Sequence, residues 1–206
     1  FFLFIVGVAM PFSFAGRLRQ ADGGKGLIYK KVIIRTIILF GLGMLLNIYP
    51  NFNFGTWRIM GVLQRIALCY LLTSLIVLNF RQRGQVTVIV LLLMVYLALM
   101  TIVPYPGKGP DPWSWDNNFG RWFDKLIMGP FMWRPNEVEL KSLAGTISAT
   151  CNTLIGYQAG SCLISKRQPL DITVRIFSAG TILTVTGLFL VHWIPFSQNL
   201  WTPSFA

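Results

Sequence analysis

Charge is scarce in this chain, and negative charge scarcest of all. Of 206 residues only 12% are charged and just 7 are acidic, where a soluble domain carries about 25% charged residues. With 54% hydrophobic residues and a mean hydropathy of +0.59, this deficit excludes an ordinary soluble domain and leaves an integral membrane protein. Cysteine is sparse too. Cys69, Cys151 and Cys162 are odd in number and lack CxxC spacing, so neither a disulfide framework nor a zinc site is indicated, and small buried apolar side chains are expected instead. No P-loop, HExxH or GxSxG string occurs, which removes the usual motif grounds for phosphate cradling, zinc proteolysis or a serine nucleophile. No internal repeat or low-complexity tract is present. The net charge of +11 does not imply a nucleic-acid partner. The basic residues cluster at the ends of apolar runs, which is the pattern of membrane orientation.

What the chain does have is long apolar runs. They predict an all-α integral membrane fold, a polytopic bundle of about six spans forming one domain over residues 1–206. The runs are Phe1 to Ala15, Leu27 to Tyr49, Trp57 to Phe80, Val86 to Val103, Leu143 to Ile164 and Val174 to Ile194. Each complete run approaches the roughly 20 residues that cross a hydrocarbon core. Phe1 opens inside an apolar stretch without a basic n-region or a cleavage site, and Trp201 to Ala206 looks like the start of a further span. The expectation is an internal piece of a longer membrane protein. Arg17, Arg19 and Lys25, then Arg81 and Arg83, then Lys166 and Arg167, occupy alternate connections. Loops 16–26, 81–85 and 165–173 are therefore expected to be cytoplasmic, with 50–56, 104–140 and 195–206 outside. The expected location is a bacterial inner (cytoplasmic) membrane.

The long outer loop 104–140 holds six prolines and Trp113, Trp115, Trp122 and Trp133. Proline breaks regular structure and Trp favours the headgroup zone. Within it Phe119, Trp122, Phe123, Leu126 and Ile127 recur at helical spacing, with Arg121, Asp124 and Lys125 opposite. That pattern predicts a short amphipathic helix lying flat at the interface or forming a lid over the bundle.

Polar groups inside the spans are the functional candidates. Arg65 lies within Trp57–Phe80, and a guanidinium near bilayer depth costs about 2.5–3.5 kcal/mol even on lenient scales. Such a residue usually faces a cavity, a partner or a ligand. Arg58 is seven positions earlier, so both arginines are expected on nearly the same helix face, and Gln64 adds an amide. A structural ion pair of Arg58 with Asp124, or snorkelling, is the alternative to ligand contact. In the fifth span Ala144, Ser148, Asn152, Gly156 and Gly160 recur every four residues, a small-residue stripe that admits another helix closely. Asn152 either bonds to a neighbouring helix or lines a functional cavity. The lone His192 sits near the outer end of the sixth span. Nothing nearby marks it as a general base, and a structural or interfacial histidine is expected.

The string Trp57-Arg-Ile-Met-Gly-Val-Leu-Gln-Arg65-Ile-Ala-Leu-Cys-Tyr70 resembles the R-x-x-G-V-L-Q-R signature of membrane acyltransferases related to heparan-α-glucosaminide N-acetyltransferase. Phe2-Leu-Phe-Ile-Val-Gly7 with Pro11-Phe-Ser13, Asn118 to Lys125, Leu154 to Gly160, and Asn199-Leu-Trp-Thr-Pro-Ser-Phe205 resemble further family segments in the same order. Ser197-Gln198 departs from the Asn-Lys usual there.

The resemblance implies transfer of an acetyl group from acetyl-CoA, as co-substrate, to an amino sugar or glycan acceptor across the membrane, with no metal. The family's essential histidine falls in a segment before Phe1, and His192 does not match it, so this stretch alone is expected to be inactive. Arg58, Gln64, Arg65, Asp124, Asn152, Asn199 and Trp201 are then candidates for substrate or CoA contact, since guanidinium binds phosphate or carboxylate in paired bonds. The lipid bilayer is the other expected partner, and self-association into a homo-oligomer is left open. A transporter, with Gln64, Arg65 and Asn152 along a solute path, or a scaffold without chemistry, are the competing classes.

Overall fold

The computed structural model describes residues 1–20, 24–49, 58–103, 106, 112–114, 118–131 and 142–205, without the side chains of 15–20, 24, 25 and 130. The described residues form seven α-helices and no strand. They are α1 (Phe2–Gln20), α2 (Gly24–Ile48), α3 (Val62–Asn79), α4 (Gln82–Ile102), α5 (Phe119–Met128), α6 (Leu143–Leu163) and α7 (Pro169–Leu190), with a single 3-10 turn at Gly129–Phe131. Helix is the expected outcome for apolar segments, because in lipid each backbone N–H and C=O must be satisfied within its own segment.

Four helices are long and apolar enough to cross a membrane: α2, α3, α4 and α7. The apolar part of α1 described, Phe2–Phe14, is shorter. α6 has the length but carries Thr146, Ser148, Thr150, Asn152 and Thr153. Its position explains its polarity. α6 packs on α1, α3, α4, α5 and α7, and 11 of its 21 residues are buried, so it is solvated by protein. Thr146, Thr150 and Thr153 bond back to the carbonyls of Ser142, Thr146 and Ala149, at 3.2, 2.8 and 3.4 Å, which removes most of the cost of burying their hydroxyls.

The small-residue stripe does what its spacing implied. A Cβ at Gly156 would overlap the Phe4 carbonyl oxygen, one at Gly160 the Val8 oxygen, and one at Gly7 the Thr153 oxygen. α1 and α6 therefore touch backbone to backbone. At the other contact, Gln64 of α3 fills the space left by Gly43 of α2 and by Gly61; a Cβ at either glycine would come within 2.6 Å of Gln64 Oε1.

One end of the bundle is pinned by amides. Tyr29 donates to Asn79 (3.2 Å), Gln82 to Gln158 (3.1 Å), Gln158 to Gln85 (2.7 Å), and Gln85 to the Phe80 carbonyl (2.9 Å). The start of α2, the end of α3 and the start of α4 share this end. Exposed Lys30, Lys31, Arg81 and Arg83 gather there.

Several expected boundaries move. α3 begins at Val62 behind Gly61, not at Trp57, which lies outside the described residues with the 50–56 loop. α7 starts five residues early because Pro169 fits its first turn, where its missing N–H costs nothing. Residues 191–205 contain turns and no helix. The segment around Trp201 folds back over α6, its own hydroxyls bonding Thr202 to Ser204 (3.1 Å) and Ser204 to the Pro195 carbonyl (3.1 Å).

The short helix of the outer loop exists as α5, capped by Asn118, whose Oδ1 accepts from the Arg121 N–H at 2.8 Å. Asp124, placed opposite the aromatic residues by helical spacing, shares the buried side with Phe119. Phe119, Gly120, Asp124 and Met128 face inward, while Leu126 and Ile127 are exposed. Spacing by four puts 120, 124 and 128 on one stripe, and the interior contact of Asp124 outweighs the burial of two aliphatic side chains. Trp115, Trp133 and the remaining loop prolines, apart from Pro106, Pro112 and Pro130, lie outside the described residues.

Candidate functional site

The chain's polar candidates meet at the N-terminal end of α6. Ser142 caps that helix and accepts from the Gly145 N–H at 3.4 Å. The Leu143 N–H, one of the donors a helix start leaves unmatched, bonds at 2.9 Å to Asp124 Oδ1 from α5. Asp124 is 1% exposed, and its carboxylate sits where the positive pole of a helix favours negative charge.

Arg65 approaches the same cap from α3. Its Nη2 donates to the Ser142 carbonyl at 2.8 Å, and its Cζ stands 5.1 Å from the centre of the Trp201 ring, within cation–π range. Arg65 is 2% exposed. Such enclosure excludes both lipid contact and snorkelling, so the guanidinium is sheltered by protein as its position in the sequence required. α6 makes room for it with Gly145, where a Cβ would lie 3.4 Å from Arg65 Nη2 and 3.3 Å from the Leu200 carbonyl oxygen. The Tyr96 hydroxyl of α4 donates to that Leu200 carbonyl at 2.5 Å and lies within electrostatic reach of Arg65 and Asp124.

Trp201 completes the cluster. It is 7% exposed and is the described non-glycine residue with a left-handed backbone, φ 55°, a conformation costly for a bulky side chain. Its ring packs with Leu3, Cys69 and Ala149, so it wedges among α1, α3 and α6.

Of the sequence candidates, the structure brings together Arg65, Asp124 and Trp201. Arg58 does not project from the same helix face as Arg65, because it precedes α3. It is half-buried, and its carbonyl accepts from Asn47 at 3.0 Å, while neighbouring Ile59 donates to the Phe131 carbonyl at 3.0 Å. Gln64, 1% exposed, points toward α2, away from the cap. Asn152 is half-buried about 10 Å further along α6 from Gly145, at 1.5 Å per residue. Asn199 is half-buried in the turn segment, and His192 is exposed beside Trp193. Cys69 and Cys151 are buried free thiols, and Cys162 is half-buried.

Sequence reasoning missed Ser142, Gly145 and Tyr96. A hydroxyl residue just before an apolar run marks a helix cap, so Ser142 was findable. Tyr96 carried a weaker signal, one phenol in an otherwise aliphatic span.

Comparison with known proteins adds the following. The family profile described as "Heparan-alpha-glucosaminide N-acetyltransferase, catalytic" matches residues 1–187. The human heparan-alpha-glucosaminide N-acetyltransferase is 25% identical, aligned over 100% of this chain and 39% of that protein. The mouse protein of the same name is 24% identical, over 100% of this chain and 40% of its own length. The chain thus spans about two fifths of the curated relatives it matches.

Proposed function

Because the chain belongs to the heparan-alpha-glucosaminide N-acetyltransferase catalytic family, we propose that it is the membrane core of an enzyme moving an acetyl group from acetyl-CoA to an amino sugar or glycan on the opposite side. The single observation that carries this reading beyond family membership is the convergence of Arg65, Asp124 and Trp201 on the α6 cap. Three family-like segments that are far apart in sequence meet at one point, which a site requires and a set of unrelated structural contacts does not. Arg65 acts there as a positioning residue. It fixes the Ser142 carbonyl and the Trp201 ring, and supplies positive potential in a low-dielectric setting where charge acts strongly. Arg58, less enclosed and next to the 3-10 turn after α5, is the better placed of the two for direct contact with a CoA phosphate.

In the same reading α1 and α6 also cross the membrane, giving six crossings, with α5 beside the outer end of the bundle. The amide-pinned end with Lys30, Lys31, Arg81, Arg83, Lys166 and Arg167 faces the cytoplasm of a bacterial cell. The bilayer covers α2, α4 and α7. α7 buries none of its residues, which leaves it a face for a homo-oligomer contact. A permease would need Arg65 and Gln64 along a solvated path, and at 2% and 1% exposure they do not support one.

The test uses the full-length protein in detergent with labelled acetyl-CoA and glucosamine. Acetylated sugar forms without any vesicle gradient, and Arg65→Met lowers the rate about 100-fold, the effect of displacing site groups by about 1 Å, while membrane insertion is kept. Gradient-dependent uptake without acetyl transfer refutes the reading, and full activity of Arg65→Met removes that residue from the site.

A further inference from the structure

We propose that Ser148, Asn152 and Trp201 form a polar subsite for the hydroxyl groups of the acceptor sugar, an inference that rests on the acetyltransferase reading. Two observations carry it. The Ser148 Oγ and Trp201 Nε1 are both buried and neither has a hydrogen-bonding partner among the described residues. Ser148 is 0% and Trp201 7% exposed. A buried polar atom without a partner carries a desolvation cost, and native structures leave few of them without a water, an ion or a ligand to account for them.

The two orphans come from different elements that face each other. Ala144, one turn before Ser148, belongs to the cluster on which Leu200 packs, and Ala149, next to Ser148, belongs to the cluster of Trp201. The Leu200–Trp201 turn sits over Gly145, where an added Cβ would lie 3.3 Å from the Leu200 carbonyl oxygen and 3.7 Å from Trp201 Cβ, and Ser148 is three residues on, nearly one helical turn along the same side. The stripe 144–148–152 continues one turn further to Asn152, which is half-buried.

The chemistry selects the ligand. An indole N–H only donates, a hydroxyl donates and accepts, and a primary amide does both. None of the three carries a formal charge, and the guanidinium beside them, Arg65 over the Trp201 ring, is bonded to the Ser142 carbonyl. Neighbouring sugar hydroxyls satisfy such a mixture, whereas the phosphates of CoA call for cations. Since Ser148 has no exposed surface, the sugar reaches it as the Leu200–Trp201 turn shifts. The left-handed backbone of Trp201 makes that turn costly to hold closed.

The experiment measures both Michaelis constants in the full-length protein for Ser148→Ala, Asn152→Leu and Trp201→Phe, the last keeping a ring over Arg65 while removing the N–H. The expected result is a KM for the amino sugar raised about 3- to 10-fold in each, the value of one neutral hydrogen bond, with the KM for acetyl-CoA unchanged. Thermal-shift binding of N-acetylglucosamine, the product sugar, weakens in parallel. If the wild type acetylates the sugar but all three variants keep its KM, or change both constants equally, the subsite is wrong while the enzyme reading stands. If the wild type acetylates no amino sugar, the reading itself fails. Stabilisation of Ser148→Ala without any change in sugar binding shows an unsatisfied hydroxyl only, and also overturns the subsite.

Discussion

One methyl group added at position 156 tests the contact from which the whole site hangs. In Gly156→Ala the new Cβ would overlap the Phe4 carbonyl oxygen and lie 3.1 Å from the Phe4 carbonyl carbon and 3.2 Å from Gly7 Cα. These are backbone atoms of α1, so no side chain can rotate away. α1 must retreat by about 1 Å to reach ordinary contact distance, and overpacking of this kind costs about 1–3 kcal/mol. The substitution also gains about 0.8–1.0 kcal/mol of helix propensity. Gly180→Ala isolates the steric part. Gly180 is likewise inside a helix, α7, but nothing lies within 4 Å of its added Cβ. The propensity gain is common to both variants and cancels in their difference, leaving about 1–3 kcal/mol as the cost of separating α1 from α6. SDS-driven unfolding of the full-length protein in mixed micelles, followed by circular dichroism, reads this difference. Gly156→Ala should unfold at lower SDS than wild type or little changed, and clearly before Gly180→Ala, which should match or exceed wild type. Were the two alanine variants to unfold together, the backbone-to-backbone contact would be refuted, and with it the placement of α6 at the centre of the bundle.

Other expectations concern the buried polar atoms. Thr73 is 0% exposed and its Oγ1 lacks a partner among the described residues; Thr73→Val should therefore stabilise by about 1 kcal/mol, and a lower unfolding midpoint would show that its hydroxyl is engaged. Asp124→Ala strips the acceptor from the Leu143 N–H and should cost about 1–3 kcal/mol, while Asp124→Asn keeps an acceptor oxygen and should lose about 0.3–1 kcal/mol of helix-pole interaction. Equal losses in the two would mean that charge, not capping, is what Asp124 supplies. Tyr96→Phe removes the bond to the Leu200 carbonyl and should lower stability by about 0.5–1.5 kcal/mol, with a matching rise in acceptor KM if the Leu200–Trp201 turn shapes the site. An unchanged midpoint would detach Tyr96 from that turn.

Much of the architecture was legible in the chain. Apolar runs mark α2, α4 and α7, since a helix facing lipid must be apolar along its length. The spacing of Gly156 and Gly160 announced a close helix contact. Arg65 stood out because a guanidinium has no cheap place in hydrocarbon. The family-like strings were visible as well, and the profile match over residues 1–187 agrees with them.

The remainder depended on contacts between segments distant in sequence. Nothing local distinguishes Arg58 from Arg65, yet the chain leaves helix geometry at Gly61 and separates them. Helical spacing gave α5 an apolar stripe that included Leu126 and Ile127, but the stripe with Asp124 turned inward because the unmatched Leu143 N–H lay there to receive a carboxylate. Composition makes α6 only moderately apolar, and only its enclosure by α1, α3, α4 and α5 explains why a helix so rich in hydroxyls can occupy the centre. Hydropathy reports which segments can face lipid. Which polar groups face one another is set by packing, because a buried donor or acceptor takes its partner from whichever element arrives opposite it.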